Sequence, residues 1–162
     1  MSGVTTRLAT ADDIPAIVAQ FAAVAAEGKW IRTQAPVDVA ERERRFAASL
    51  ESGASIMLIA EERGALVGQL SLWLRDGRAH LGMMVAATER GRGIGRALME
   101  QAFGEARARE ILSIDLEVYG HNGAARALYR SLGFVESAPA GSEERATGER
   151  FEVIPMTLAL HV

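Results

Sequence analysis

The organisation of this chain is clearest in one stretch, Met83-Met-Val-Ala-Ala-Thr-Glu-Arg-Gly-Arg-Gly-Ile-Gly-Arg-Ala-Leu98. A β-prone run leads into a loop rich in glycine and arginine, and apolar residues at helical spacing follow at once. Glycine lets backbone N–H groups close on an anion, and the first turn of a helix adds unpaired donors and a positive dipole end. Arginine adds positive charge in a geometry that matches phosphate. The stretch therefore predicts a strand, a loop and a helix that together bind a pyrophosphate.

Two common phosphate-binding motifs do not fit this loop. A P-loop has the pattern G-x-x-x-x-G-K-S/T, but counting from Gly91 puts Arg96 where the second glycine belongs, and no lysine is nearby. A dinucleotide fingerprint has the pattern G-x-G-x-x-G, which again ends at Arg96 when counted from Gly91 and at Leu98 when counted from Gly93. The loop is therefore predicted to serve another class of phosphorylated ligand.

The segments on either side of the loop alternate between strand and helix patterns. Upstream, the apolar runs Ser55–Glu61 and Leu66–Leu74 are separated by a turn, and an Asp-Gly pair predicts a second hairpin into Ala79–Val85. Downstream, the apolar face of a helix extends to Ala106, and a buried strand follows at Ile111–Val118. Because this is a β-α-β unit, the strands before and after the helix are predicted to be parallel.

The two ends of the chain add further strands and helices to this centre. The predicted elements are, in order, a strand at Val4–Leu8, a helix with apolar residues from Ile14 to Val24, a loop at Glu27–Val37, a helix at Val39–Leu50, a helix at Asn122–Leu132, a strand near Phe134, a mobile loop at Ser137–Glu149 and a strand at Phe151–Leu160. The predicted class is α/β, or α+β in stricter schemes, with helices packed on a mixed sheet. One domain over residues 1–162 is expected from the length.

Composition excludes several classes of protein. Hydrophobic residues make up 49% and charged residues 24%, which is typical of a folded globular protein and excludes whole-chain disorder. The net charge of −3 argues against a nucleic-acid partner. The chain has no cysteine, so disulfides, thiolate metal sites and an acyl-cysteine intermediate are excluded, and no His, Asp or Glu spacing indicates a metal. Its apolar runs are too short for a membrane span, and no signal-peptide core is present, so a cytoplasmic location is expected.

Two motifs together resemble the GNAT superfamily of N-acetyltransferases. The loop Arg90-Gly-Arg-Gly-Ile-Gly95 matches the R/Q-x-x-G-x-G/A signature of that family at each fixed position. The run Leu116-Glu-Val-Tyr-Gly-His-Asn122, followed by Ala125, Leu128-Tyr129 and Leu132-Gly-Phe134, resembles its second conserved stretch. The resemblance implies a mixed, mostly antiparallel sheet with helices on both faces, and two parallel strands that splay apart around acyl-CoA. It also implies acetyl transfer from acetyl-CoA directly to a primary amine, for which a small-molecule acceptor is favoured.

The resemblance further implies which residues hold the cosubstrate. Backbone groups of Met83, Met84 and Val85 would pair with the pantetheine arm, and Asn122 would hydrogen-bond it beside Ala125 and Tyr129. The pyrophosphate would be cradled by the loop and the start of the helix, that is, by Arg90, Gly91, Arg92, Gly93, Ile94, Gly95 and Arg96. The segment Glu27–Trp30 would help to form the acceptor pocket.

Two side chains are candidates for catalysis. Asn122 and Tyr129 are seven residues apart, about 20° short of two helical turns, so both face one side of a helix. Tyr129 is predicted to be the general acid that protonates the departing CoA thiolate. Glu117 lies on the opposite face of a strand from its apolar neighbours, so it either lines the acceptor site as a general base or pairs with an arginine such as Arg126. His80 and His121 are interpreted as polar edge residues.

Other functions stay open on the sequence alone. The acceptor could be a protein lysine or a peptide N-terminus, or the chain could be a sensor module that binds acyl-CoA without turnover. The phenol of Tyr129 favours an enzyme, because a module that only binds has no chemical need for an acid near the sulfur. A homodimer is predicted as well, with the apolar run Val153–Leu160 extending a sheet between two subunits.

Overall fold

The computed structural model describes residues 3–160 of the chain. Its elements are, in order, β1 (Thr5–Leu8), α1 (Ile14–Glu27), α2 (Val39–Ser52), β2 (Ser55–Glu62), β3 (Ala65–Arg75), β4 (Arg78–Val85), α3 (Ile94–Ala108), β5 (Ser113–Tyr119), α4 (Gly123–Ser131), β6 (Val135–Glu136), β7 (Ser142–Glu144) and β8 (Arg150–Ala159). Short 3-10 turns precede α1 and follow β4. No helix in this range is both long enough and apolar enough to cross a membrane.

The strands form one mixed sheet that is mostly antiparallel. Its order is β1-β2-β3-β4-β5-β8-β6, and β7 pairs with β8 beside this path. The pair β4–β5 is parallel, as the β-α-β pattern predicts, whereas every other neighbouring pair is antiparallel. The predicted fold class is confirmed.

Both faces of the sheet are covered, as the alternation of side chains along β2 shows. Leu58 is buried in the main core with Leu98 and Met99 of α3. Met57 points to the other face, where it packs in a second core with Ile17 of α1 and Phe46 of α2. Because successive side chains of a strand point to opposite faces, one continuous apolar strand supports helices on both sides.

The parallel pair is joined for only part of its length. Residues 78–80 of β4 pair with residues 113–115 of β5. Beyond this point β4 continues to Val85 and β5 to Tyr119, with no pairing between them in the described chain. Since β3 pairs with the far edge of β4 up to Val85, and β8 pairs with the far edge of β5 up to Tyr119, the two near edges face a gap in the sheet.

The C-terminal part differs from the sequence prediction in two ways. The segment predicted as a mobile loop at Ser137–Glu149 contains β7, and its Arg145 is buried. Within the run Val153–Leu160, residues 153–157 are already paired on both edges, so a sheet between two subunits has only the last residues of this run available; the dimer itself stays a prediction. On one side β8 pairs with β5, and on the other with β6, with β7 and with backbone groups of residues 137, 140 and 141.

Candidate active site

A cavity of about 710 Å³ opens where β4 and β5 diverge. This volume falls within the usual range of sites for small molecules and cofactors. The cavity brings together nearly all of the predicted site residues, namely Met83, Met84, Val85, Arg90, Gly91, Gly93, Ile94, Gly95, Arg96, Glu117, Asn122, Ala125 and Tyr129. Arg92 is the predicted residue that does not line it. The two sequence motifs therefore meet in one place.

The loop before α3 leaves backbone donors available for an anion. Gly91 and Gly93 have φ angles of 80° and 79°, in the left-handed region that residues with a side chain rarely adopt. Gly93 is the N-cap of α3 and supplies no side-chain cap, so the first-turn N–H groups are not capped from within the helix. Combined with the helix dipole, this geometry suits a phosphate group.

At position 95 glycine is needed for a different physical reason than at positions 91 and 93. A Cβ atom at this position would lie 3.1 Å from Met83 Cε and 3.2 Å from Leu128 Cδ2, closer than ordinary contacts. The residue therefore lets α3 approach both β4 and α4. The sequence predicts anion binding for all three glycines, whereas in the structure Gly91 and Gly93 adopt a left-handed backbone conformation and Gly95 permits close packing.

The three arginines of the loop have different partners. Arg92 donates to Glu62 at 2.8 Å and also pairs with Glu89, so its side chain is used outside the cavity. Arg90 makes a two-point pair with Glu27, with both N–O distances 2.7 Å. Arg96 donates to the hydroxyl of Ser131 at 2.8 Å and has no carboxylate partner within residues 3–160. Arg96 thus carries the uncompensated positive charge of this loop.

Tyr129 presents a phenol to the cavity from an apolar wall. Its side chain is 6% exposed, and its ring packs against Phe134 with centroids 5.6 Å apart. Burial raises the pKa of Tyr129 above its ordinary value, so the phenol stays protonated at neutral pH. Its hydroxyl has no hydrogen-bond partner in the part of the chain described, which leaves it available to a ligand.

Asn122 lies at the start of the same helix and caps it. Its side-chain Oδ1 accepts a hydrogen bond from the Ala125 backbone N–H at 3.2 Å. The cap fixes the amide group at the cavity wall while its two N–H donors keep other directions. Asn122 and Tyr129 both line the cavity, as their spacing along the helix predicts.

Glu117 is exposed, and it is paired with Arg32, an arginine that the sequence did not suggest. Arg32 Nη1 lies 3.1 Å from its Oε2, and Arg32 Nε lies 2.7 Å from Glu143. The predicted alternative partner, Arg126, pairs with Glu136 instead. One cation thus lies between two carboxylates at the cavity mouth.

The loop of residues 28–38, between α1 and α2, forms the other wall of this mouth and is held by Arg145. This arginine is 6% exposed. Its Nη1 donates to the carbonyl oxygens of Ile31 and Arg32 at 3.0 and 3.2 Å, and to the Tyr119 hydroxyl at 2.9 Å. The loop places Trp30 in the cavity wall, whereas Glu27, Gly28 and Lys29 of the predicted segment Glu27–Trp30 do not line it. Arg32, Glu143 and Arg145 were missed, because their partners are far away in sequence.

Comparison with known proteins identifies the family. The sequence profile described as Acetyltransferase (GNAT) family matches residues 24–134. The chain belongs to the GNAT acetyltransferase family. It is an acetyltransferase that uses acetyl-CoA as its cosubstrate, as the two motifs predict. Within residues 3–160, no three His, Asp or Glu side chains come together as a metal site.

Curated relatives of this GNAT acetyltransferase act on different acceptors. It is 28% identical over 128 residues to the L-methionine sulfoximine/L-methionine sulfone acetyltransferase of Pseudomonas paraeruginosa, a match that covers 75% of this chain and 74% of that protein. It is 40% identical over 68 residues to the ribosomal protein bS18-alanine N-acetyltransferase of Escherichia coli, covering 42% of this chain and 46% of the relative. A match to the mycothiol acetyltransferase of Beutenbergia cavernae is 40% identical and covers 46% of this chain but only 26% of that longer protein.

Solved structures share the fold along nearly the whole chain. The ribosomal-protein-alanine N-acetyltransferase of Brucella melitensis has a TM-score of 0.87 and 28% identity, covering 96% of this chain and 99% of that one. The phosphinothricin acetyltransferase of Sinorhizobium meliloti, solved with acetyl-CoA, has a TM-score of 0.87 at 23% identity and covers 98% and 89%. The similarity to the Sinorhizobium meliloti enzyme concerns the fold alone. The two solved enzymes are named for different acceptors.

Proposed function

We propose that the chain transfers an acetyl group from acetyl-CoA directly to the primary amine of a small molecule, and that residues 1–162 form one catalytic domain. The observation that carries this proposal is the cavity between β4 and β5. It joins the uncapped start of α3, the buried phenol of Tyr129 and the charged mouth around Glu117. A phosphate site, an acid and a carboxylate in a single cavity suit both substrates of an acetyl transfer.

Different residues of the cavity wall bind different parts of acetyl-CoA. Backbone N–H groups between Arg90 and Arg96, with the Arg96 guanidinium, bind the pyrophosphate. The free edge of β4 at 83–85 offers backbone groups to the pantetheine arm, as one strand does to another. The amide of Asn122 donates to the same arm, and Ala125 leaves room beside it.

Glu117 and Tyr129 handle the two protons of the reaction. An amine is cationic near neutral pH, so Glu117, directly or through a water, removes a proton before the nitrogen attacks the thioester carbonyl. Backbone N–H near Val85 stabilises the resulting oxyanion. When the carbon–sulfur bond breaks, Tyr129 gives its proton to the departing sulfur and later regains one from solvent. Transfer to a free thiolate of reference pKa about 8.5 is uphill, so we place it within the collapse of the tetrahedral intermediate.

A small-molecule acceptor is supported by how the mouth is built. The loop 28–38 and the β7–β8 hairpin are tied together by the Arg32–Glu143 pair and by Arg145. A rim held in place by these pairs suits a compact free amine better than the extended end of a protein chain. The methionine sulfoximine acetyltransferase, which matches three quarters of this chain, points in the same direction. The ribosomal-protein relatives favour the alternative of a peptide N-terminus.

A panel of acceptors with purified protein tests the proposal. Thiol release from acetyl-CoA is measured with L-methionine sulfoximine, other amino acids, polyamines, lysine peptides and peptides with an N-terminal alanine. We expect turnover with at least one free amine and product mass increased by one acetyl group. Turnover confined to peptides would contradict the small-molecule acceptor, and CoA binding without turnover of any amine would support the sensor alternative.

A cytoplasmic location and a homodimer are also proposed. Because residues 153–157 of β8 are paired on both edges, the middle of this strand is not the proposed dimer surface. Light scattering at high protein concentration tests it, since a monomer mass would reject the dimer.

A further inference from the structure

Arg90 is the first residue of the glycine-arginine motif, yet its contacts point away from the glycine loop. Nη1 and Nη2 each donate to a carboxylate oxygen of Glu27 at 2.7 Å, and Nε donates to the carbonyl oxygen of Val85 at 3.1 Å. Its guanidinium lies over the indole ring of Trp30, 5.5 Å from the centroid. All three nitrogens of the side chain are therefore engaged.

These contacts join three separate parts of the chain. Glu27 is the last residue of α1, Trp30 lies in the loop 28–38, and Val85 ends β4. The indole N–H of Trp30 donates to the same Glu27 carboxylate at 3.0 Å, so the glutamate, the arginine and the tryptophan form a closed set. Hydrogen bonds from Arg90 hold the pKa of Glu27 below its ordinary value, which keeps the carboxylate charged. The set fixes the start of the loop that lines the acceptor end of the cavity.

Arg96 provides the contrast. It also lines the cavity, but its partner is the neutral hydroxyl of Ser131. Moving Arg96 to a phosphate gives up one hydrogen bond. Moving Arg90 breaks a two-point ion pair, its contact with the Trp30 ring and the bond to Val85, and it leaves a partly buried carboxylate without its counter-charge.

We propose that Arg90 is a positioning residue for the acceptor side, which fixes Trp30 and the loop 28–38 through Glu27, while the pyrophosphate is held by the loop backbone and by Arg96. This rests on the proposed function only in naming that loop as the acceptor wall. It assigns the first arginine of the motif a role in acceptor affinity instead of CoA affinity.

The test uses Trp30 as its own reporter. The chain has two tryptophans, so Trp73→Phe leaves Trp30 as the single one. In this background, Arg90→Gln and Glu27→Gln are each expected to raise the acrylamide quenching constant of Trp30 about twofold, and the double variant no further. In calorimetric titrations with CoA, both single variants are expected to bind within about threefold of the parent. Arg96→Gln is the matched control. Because it removes a charged hydrogen bond to the phosphates, it should weaken CoA binding at least about tenfold and leave the quenching of Trp30 unchanged.

Kinetics separate a positioning role from a general loss of structure. With the best amine of the acceptor panel, Arg90→Gln should raise the acceptor KM about tenfold and leave the KM for acetyl-CoA within threefold. The proposal is overturned if Arg90→Gln weakens CoA binding as much as Arg96→Gln, or if Glu27→Gln strengthens it by releasing Arg90 to the phosphates. Quenching and calorimetry need no acceptor. If no amine of the acceptor panel is acetylated, the proposed function is contradicted, but the quenching and calorimetric results still test the role of Arg90.

Discussion

Among single residues, Tyr129 contributes the group most important to the proposed mechanism, its hydroxyl. Its ring is fixed by Phe134 and the apolar wall, so replacing it with phenylalanine removes the acid without leaving a cavity. We expect Tyr129→Phe to lower kcat by about 10²–10⁴-fold, the usual contribution of general acid catalysis, with an unchanged CoA dissociation constant. Because burial raises the pKa of Tyr129, its acid form should persist, and kcat of the wild type should show no loss from this group below about pH 10.

The other tyrosine of the chain supplies a control for that substitution. Tyr119 accepts a hydrogen bond from Arg145, and its ring packs against Phe151. Tyr119→Phe also removes a single hydroxyl near the cavity, but this hydroxyl is not the proposed acid. The kcat of this variant should therefore stay within about tenfold of wild type. Turnover by Tyr129→Phe at the wild-type rate would make Tyr129 a packing residue and refute its role as the acid.

A second residue-scale prediction concerns the two carboxylates that flank Arg32. Glu117 is proposed as the general base, so Glu117→Gln should reduce kcat/KM for the amine by about 10²-fold and remove the acidic limb of its pH profile. Glu143 pairs with the same arginine but does not line the cavity. Glu143→Gln should therefore keep the acidic limb. Loss of that limb in both variants, or in neither, would show that Glu117 is not the base.

At the scale of elements, the junction between the glycine loop and α3 makes its own prediction. The Cβ of a residue at position 93 would have no atom within 4 Å, so the cost of Gly93→Val comes from its φ of 79° and from the branched side chain. We expect a folded protein whose CoA dissociation constant rises at least tenfold. Gly104→Ala, on the exposed face of the same helix, should instead stabilise the protein by about 0.5–1 kcal/mol and leave CoA binding intact. Wild-type CoA affinity in folded Gly93→Val would exclude close approach of this backbone to the phosphates.

The β7–β8 hairpin leads to a stability prediction. Arg145 is buried and donates to two backbone carbonyls and a tyrosine hydroxyl. Arg145→Met leaves these acceptors without a donor and should lower the free energy of unfolding by about 1–3 kcal/mol in denaturant titrations. Arg150→Met, at an exposed arginine of the same hairpin, should change it by less than about 0.5 kcal/mol. Equal effects of the two variants would mean that Arg145 does not hold the loop 28–38.

These elements also show how far local sequence pattern reaches. The helices and central strands follow from apolar periodicity, and the parallel pair follows from the β-α-β order. In contrast, Ser137–Glu149 is rich in small and charged residues, and it becomes a paired hairpin only because β8 lies beside it. Arg145, Arg32 and Glu143 take their roles from partners that no local pattern indicates, so the acceptor end could not be predicted. The ion pairs of the loop arginines could not be predicted for the same reason. Glu27 and Glu62 are distant in sequence from their partners Arg90 and Arg92.

For the molecule as a whole, the gap in the sheet gives the two proposed substrates one place to meet. Incomplete pairing of β4 with β5 opens the gap, which is lined by α3 and α4 on one side and by the loop 28–38 on the other. In the proposed function the first side holds acetyl-CoA and the second receives the acceptor. The family motifs lie on the first side, which is why the sequence identifies acetyl-CoA readily. The second side is built by contacts between residues far apart in sequence, and in the proposed function it receives the acceptor.

Calorimetric titrations of the wild-type protein with acetyl-CoA and CoA, compared with titrations with ATP and NAD, test most directly whether the cavity is an acyl-CoA site. We expect one site that binds acetyl-CoA and CoA at least tenfold more tightly than ATP or NAD, because the pantetheine arm adds contacts along β4 and at Asn122. No heat with CoA, or equal affinity for ATP, would contradict the claim that this cavity is an acyl-CoA site.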